Sequence, residues 1–488
     1  AIEAAAAAQL PAGTLMQRAG QAAAAAARAM RAGAGGPVLV LAGPGNNGGD
    51  ALEAAAELAA AGVEVAVIHL EGGARSPEGA AALARARASR ARFIDDLADA
   101  SGWTVAIDGL FGIGLQRPLD GRARHLVEAL NRSGRPVLAL DVPTGLDADT
   151  GAVIGADGVA VQATRTLTFI GDKPGLHTGA GRDHAGAIDV ADLGIDAALL
   201  PEPEARLAEL ALFRRCLQAR PHASHKGTFG DVAIVGGAQG MLGAAMLAAR
   251  SALYAGAGRV FAATLDAAPP YDPVHPEIMV RAASGFKAAR AVLVLGPGMG
   301  DSAQAMRVLA EGLQSDAAVV ADADALNLIS ASVDLQQRLA ARARNSILTP
   351  HPLEAARLLG VTAAVIQHDR LAAARELAAR FDSIVVLKGS GTIVAHPDGR
   401  LTINPTGNPA LATGGTGDVL AGLTGSLLAQ GWPVWEAAVG AVWLHGAAAD
   451  RLVGSGVGPI GMTAGELPAA VRSLMNYIVS NGSYAETV

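Results

Sequence analysis

Short runs rich in leucine and β-branched residues alternate with alanine-rich segments of helical length along most of the chain. Runs at 37–42, 63–70, 104–108, 136–141 and 166–170 predict a first series of strands; runs at 231–236, 259–264, 291–296, 317–322 and 383–388 predict a second. Most are continuously apolar, as strands covered by helices on both faces of a parallel sheet must be. One stretch departs from this rhythm. Residues 383–388 and 392–396 are separated by Gly389-Ser390-Gly391, and 401–404 follows Asp398-Gly399, which predicts an antiparallel hairpin and a mixed second sheet. The pattern thus predicts an α/β chain of two domains. Between the two series lie Pro201-Glu202-Pro203-Glu204, Arg214-Arg215 and Arg220-Pro221-His222, so the junction is expected near residue 213, with domains 1–213 and 214–488.

Composition narrows the function classes. Hydrophobic residues make up 51% of the 488, yet the aromatics are only 8 Phe, 4 Trp and 4 Tyr, so alanine carries much of the apolar content. A formal charge of −7 leaves no basic footprint, which excludes a nucleic-acid binder. The single Cys216 excludes an internal disulfide or a cysteine-based metal cluster and suits the cytoplasm. The alanine run at 22–27, flanked by Arg28 and Arg31, is too weakly apolar to span a bilayer, and no secretory signal is legible. Of the 38 Lys+Arg residues only Lys173, Lys226, Lys287 and Lys388 are lysine, a bias that makes each retained lysine worth locating.

In the first domain, the strand at 37–42 runs into Gly43-Pro-Gly45-Asn46-Asn47-Gly48-Gly49-Asp50 and then a helix at 51–61. The glycines form a GxGxxG turn, with Glu71 about twenty residues on, as a dinucleotide fingerprint requires. A tight turn alone explains the glycines but not three polar side chains beside them. Asp108 ends its strand and leads into Gly109-Leu-Phe-Gly112-Ile113-Gly114, while Asp141 ends another and leads into Val142-Pro143-Thr144-Gly145. Ligands of open α/β sheets bind beyond the carboxyl ends of strands, so Asn47, Asp108, Asp141 and Thr144 converge there with oxygen donors suited to a hard cation.

These motifs, together with Phe169-x-x-x-Lys173-x-Gly175, resemble the NAD(P)H-hydrate epimerase domain from Leu15-Met-Gln-Arg-Ala-Gly20 to Asp192-Leu-Gly-Ile195. The resemblance implies a Rossmann-like doubly wound sheet in which Asn46, Asn47, Gly48, Gly49 and Asp50 hold the damaged nucleotide. The loop Gly112, Ile113, Gly114, Leu115, Gln116, Arg117 and Pro118 holds it from the other side, with Asp141 at the reacting ring. It also implies potassium on Asn47, Asp108 and Thr144, the last replacing the usual serine and keeping a hydroxyl oxygen. No catalytic cation is assigned at Gln116-Arg117.

The second domain carries Asn404-Pro-Thr-Gly-Asn408 and Thr413-Gly-Gly-Thr-Gly417-Asp418, followed by apolar positions at helical spacing. Glycines and an aspartate at a helix start gather N–H donors and a positive dipole end around one carboxylate, the arrangement phosphoryl transfer needs. No Gly-Lys dipeptide exists, which rules out a Walker A loop. Gly236-Gly-Ala-Gln-Gly240-Met-Leu-Gly243-Ala244, Leu295-Gly-Pro-Gly-Met-Gly300 and Thr349-Pro-His351-Pro-Leu-Glu354 supply further strand ends; Asp322 and Asp324 read as structural carboxylates. These motifs resemble the ADP-dependent NAD(P)H-hydrate dehydratases of the ribokinase-like superfamily from His225-Lys226-Gly227 to Gly461-Met-Thr-Ala464.

That resemblance implies that Lys388, Gly389, Ser390, Gly391, Thr392 and Gly417 bind the adenine nucleotide, and that Ala244, Gly300, His351 and Asp418 contact the hydrate, with Asp418 as base. Glu354 stands where such enzymes place a magnesium-linked glutamate, so Mg2+ with ADP is expected. The expected partners are NADHX or NADPHX and ADP, with no nucleic acid and no membrane, in a cytoplasmic homo-oligomer. Two other readings stay open at this point: an NAD-dependent dehydrogenase, and a small-molecule or vitamin kinase with a nucleotide-binding N-terminal domain.

Overall fold

The computed structural model describes residues 10–31, 33, 35–72, 76–267, 269–286, 291–342 and 346–482. It divides into two compact units, residues 1–203 and 204–488. No described helix is long and apolar enough to cross a membrane.

The first unit is built on β1 (Val38–Ala42), β2 (Val65–His69), β3 (Arg92–Ile94), β4 (Val105–Gly109), β5 (Val137–Leu140), β6 (Arg165–Phe169) and β7 (Ala187–Ala191). They form one sheet in the order β3-β2-β1-β4-β5-β6-β7, and every pairing is parallel. The order reverses direction between β1 and β4, which opens a crevice beyond their carboxyl ends. Strands β1 and β5 are buried throughout because helices cover both faces. Arg18 Nη1, on the first helix Thr14–Arg31, donates to Leu193 O at 2.6 Å and so ties the two ends of this unit together.

The second unit holds β8 (Arg206–Leu207), β9 (Asp231–Gly236), β10 (Arg259–Thr264), β11 (Met279–Ala282), β12 (Val292–Leu295), β13 (Val319–Ala321), β14 (Ser346–Leu348), β15 (Ile384–Leu387), β16 (Ile393–Ala395) and β17 (Leu401–Ile403). Their order is β11-β10-β9-β12-β13-β14-β15-β16-β17-β8. The pairs β15/β16 and β16/β17 are antiparallel and the others parallel, so the sheet is mixed as the glycine turn predicts. A second reversal lies between β9 and β12.

The division between the units falls earlier than the expected junction near 213, for two physical reasons. β8 adds to the second sheet beside β17. Phe213 is fully buried, with its ring 6.1 Å from Trp432 and 5.6 Å from Trp443, and full burial of such a ring stabilises by about 1.5–3 kcal/mol. The segment after Pro203 therefore belongs to the second core.

Alanine and glycine let the helices of that core approach closely. The helix Thr416–Ala429 packs on Leu242–Tyr254, and a Cβ at Gly422 would collide with the Ala248 carbonyl. Gly422→Ala is therefore expected to destabilise the second domain by about 1–3 kcal/mol, read as a lower urea midpoint; an unchanged midpoint means the helices separate freely.

Candidate active sites

In the first unit, β1 ends at Ala42 and the chain turns through Gly43 to Gly45 into the helix Asn46–Ala60. Asn47 is buried in the first helical turn, where its Nδ2 donates to Leu140 O at 3.1 Å and its Oδ1 is left buried with no hydrogen-bond partner. Asp108, at the end of β4, is fully buried. Its carboxylate accepts from Thr144 N at 2.9 Å, Thr144 Oγ1 at 2.7 Å and Leu110 N at 3.3 Å. Burial pushes its pKa up to about 6, against the lowering effect of those hydrogen bonds. An orphaned amide oxygen, a buried carboxylate and a hydroxyl form an oxygen-donor set that fits a hard cation.

Asp141 follows β5 with φ +64, a left-handed conformation that non-glycine residues adopt at a cost. Its Oδ2 accepts from Ile113 N at 3.3 Å, and its Oδ1 lies 2.8 Å from Lys173 Nζ, which also donates to Phe169 O at 2.8 Å. A Cβ at Gly112 would stand 2.9 Å from Asp141 Oδ2 and 3.5 Å from the Asn47 side chain, so the loop crosses directly over both. Ile113, Gly114, Gln116, Arg117 and Pro118 are exposed further out, and Leu115 is half-buried. Asn46 and Asp50 face elsewhere: they line a cavity of about 470 Å3 with Thr14, Met16, Phe169 and Leu193. Gly48 and Gly49 are buried between; Met16 presses on Gly49, and a Cβ at Gly48 would meet Gly43 O. The predicted residues thus fall into a buried polar cluster and an adjoining cavity. Glu71 is exposed beyond β2.

Sequence reasoning placed Lys173 in a motif but not against Asp141. The retained lysine in an arginine-rich chain was the signal that could have found it.

In the second unit the site gathers on Lys388, at the end of β15. Its Nζ bonds Asp322 Oδ1 at 2.6 Å, lies 3.9 Å from Glu354 Oε2, and would stand 3.3 Å from a Cβ at Gly417. Asp322 also accepts from Thr349 Oγ1 at 2.8 Å. Asp418, in the first turn of Thr416–Ala429, has its pKa raised to about 7, first by burial and then by Asp322, with Lys388 opposing. Lys388 itself is shifted upward: burial opposes the charge, and Asp322 and Glu354 favour it.

His351 caps the helix Pro352–Leu359. Its Nδ1 accepts from Leu353 N at 3.1 Å and Glu354 N at 3.2 Å, while Glu354 Oε2 accepts from His351 N at 2.8 Å. Burial and then Lys388 push the imidazole pKa down, favouring the neutral ring. Gly300 N donates to Asp324 Oδ2 at 2.8 Å, and a Cβ at Gly300 would lie 3.3 Å from Met241, whose carbonyl accepts from Ala244 N at 3.2 Å. Ala244 and Gly300 thus both lie beside Met241, at the strand ends flanking the β9/β12 reversal.

The turn Lys388 to Thr392 joins β15 to β16; within it Thr392 Oγ1 donates to Gly389 O at 3.0 Å, Ser390 is exposed and Gly391 has φ +61. The buried Arg370, donating to Leu387 O at 3.2 Å and Lys388 O at 3.3 Å, supports the turn from below. Asp322, Asp324 and Arg370 were not foreseen as site residues. The strand-end rule that singled out Asp108 and Asp141 applies equally to Asp322, whereas nothing local marks Arg370. Lys226 sits in a short 3-10 turn, Lys226–Phe229, away from these groups, and Lys287 lies outside the described residues.

Known proteins carry the same two parts. A family profile described as YjeF-related protein N-terminus matches residues 12–175, and one described as NAD(P)H-hydrate dehydratase matches 232–469. A bifunctional NAD(P)H-hydrate repair enzyme of Coxiella burnetii is 38% identical over 455 residues, covering 90% of this chain and 90% of its own. An ADP-dependent (S)-NAD(P)H-hydrate dehydratase of Neisseria meningitidis is 46% identical over 57% of this chain and 97% of its own. The crystal structure of a ribokinase-like superfamily protein from Enterococcus faecalis matches with a TM-score of 0.50 and 28% identity, covering 57% of this chain and 98% of that one. With two reversing α/β sheets, a polar cluster at the carboxyl edge of each, and relatives that span nearly its whole length, the chain belongs to the family of bifunctional NAD(P)H-hydrate repair enzymes.

Proposed function

We propose that the chain repairs hydrated nicotinamide dinucleotides in two steps. The first domain interconverts the R and S epimers of NADHX or NADPHX, and the second dehydrates the S form with ADP, releasing AMP and phosphate. The observation that carries this reading is the placement of Asp418: a half-buried carboxyl in the first turn of a glycine-rich helix start, next to Gly417, whose Cβ would stand 3.3 Å from Lys388 Nζ.

In the second domain Asp418 takes the proton of the ring hydroxyl, and the resulting oxygen attacks the β-phosphorus of ADP. The bond from that phosphorus to the bridging oxygen breaks, and AMP leaves. Loss of the phosphate ester from the ring, with a proton from the neighbouring carbon, restores the double bond. Lys388 and the N–H groups around Gly417 balance the charge on the moving phosphoryl group. Lys388, Gly389, Ser390, Gly391, Thr392 and Gly417 are assigned to the nucleotide; Ala244, Gly300, His351 and Asp418 to the hydrate. Mg2+ is assigned to the nucleotide, since it is commonly held by one or two carboxylates plus phosphates, and Asp322 and Glu354 supply carboxylates beside Lys388. It would neutralise phosphate charge.

In the first domain Asp141 assists proton movement at the reacting ring. The nucleotide is assigned to Asn46, Asn47, Gly48, Gly49 and Asp50 and to the loop Gly112 to Pro118. Asn47, Asp108 and Thr144 are assigned to potassium, a reading supported by the partnerless Asn47 Oδ1. A cation there would balance the buried Asp108 carboxylate. Exchanging potassium for tetramethylammonium is expected to slow epimer exchange several-fold and to leave dehydration of the S hydrate unchanged; equal exchange rates discard the ion.

Stoichiometry tests the reading. Each reduced nicotinamide recovered from the S hydrate is expected to coincide with one AMP and one phosphate. A phosphorylated hydrate that accumulates unchanged points to a kinase instead.

A further inference from the structure

Lys173 is one of four lysines in an arginine-rich chain, and it is placed on Asp141. Its side chain is 16% exposed and that of Asp141 15%, so the pair is largely shielded yet reachable. Two of its N–H bonds go to Asp141 Oδ1 and Phe169 O, each at 2.8 Å, which leaves a third among the described contacts. The other Asp141 oxygen accepts from Ile113 N. A guanidinium at this position would hold the carboxylate equally well but would not release a proton.

The substrate's chemistry calls for both halves of such a pair. Water adds to a dihydronicotinamide double bond with its oxygen on the carbon next to the ring nitrogen, because the nitrogen lone pair supports positive charge there. The hydrate is a hemiaminal, with oxygen and nitrogen on one carbon. A carboxylate and an ammonium hydrogen-bonded to each other match that pair of atoms with one proton acceptor and one proton donor.

We propose that Lys173 is the proton donor to the ring nitrogen in the epimerase site and that the inversion runs through ring opening. This rests on the epimerase reading given above. Asp141 takes the hydroxyl proton, the carbon–oxygen double bond forms, and the carbon–nitrogen bond breaks. Its electron pair goes to nitrogen, which takes a proton from Lys173. The aldehyde turns about its single bond, and nitrogen attacks the opposite face. The nitrogen proton returns to Lys173 and the Asp141 proton to oxygen, so the pair is restored without water, oxidant or reductant.

The test uses the full chain with separated epimers, potassium present, and exchange followed by chromatography. Lys173→Ala is expected to lose about 10²-fold or more in kcat with little change in KM, and added ethylammonium to restore part of it. Lys173→Arg, which keeps the charge, is expected to remain slow. Dehydration of the S hydrate, carried by the second unit, should be unchanged in both variants, and an unchanged melting transition of the first unit reports that it stays folded. Arginine at the wild-type rate, or no response to ethylammonium, overturns the proton-donor role. In oxygen-18 water the inverted product is expected to keep its oxygen; one label gained per inversion overturns ring opening. Failure of the wild-type chain to exchange epimers instead removes the epimerase reading itself.

Discussion

Asp418→Asn is expected to lower ADP-dependent recovery of the reduced nicotinamide by about 10²–10⁴-fold while epimer exchange continues at the wild-type rate. The substitution preserves shape and helix start but removes the proposed base. Recovery within a few-fold of wild type would show that another group takes the hydroxyl proton. The raised pKa sets the pH dependence. Asp418 must be ionised to act, so the wild-type rate should fall about tenfold per unit below about pH 7. Stability responds in the opposite sense. The folded-state pKa of about 7 lies above the ordinary aspartate value of 3.8, so the contribution of this group is most favourable below about pH 4 and is lost as pH rises through about 7. Asp418→Asn should therefore melt higher than wild type above about pH 7, with the difference vanishing in acid. Inactive protein with a raised melting temperature is the signature of a base kept at a cost in stability.

The reciprocal experiment acts on the first domain. Asp141→Asn should reduce epimer exchange by about 10²–10⁴-fold and spare dehydration of the S hydrate. Asparagine tolerates the left-handed backbone at this position better than most residues, so the fold is expected to persist. What is lost is the proposed proton acceptor and the charge paired with Lys173. Exchange that survives the substitution assigns the chemistry elsewhere in the cluster. Together the two variants separate the activities on one chain.

The parts of this molecule that show in the sequence are those decided locally. Strands such as β1 and β9 are continuous apolar runs, because burial on both faces leaves no polar alternation. The hairpin after Leu387 shows because its turn needs glycine. Strand-end carboxylates show because each sits where an apolar run stops. Other features depend on partners distant in sequence. β3 and β8 are too short to leave a pattern, and β8 is a strand only because β17 lies beside it. Phe213 marks the domain limit only through Trp432 and Trp443. The bond between Lys173 and Asp141 joins residues on different strand ends, and the contact of Asp322 with Lys388 spans 66 residues. Arg370 beneath the turn from Lys388 to Thr392 has no local signature at all, since an arginine in a helix is ordinarily a solvated face.

The central claim is that one chain holds both activities, and a mixture of epimers tests it most directly. The purified protein is given R and S NADHX together, with ADP, Mg2+ and potassium, and the near-ultraviolet absorbance of the reduced nicotinamide is followed to its end. Conversion of the whole mixture is expected, with a fast phase for the S form and continued recovery as the R form is inverted. Recovery that stops at the S fraction, at concentrations where the free epimers exchange slowly, would contradict it.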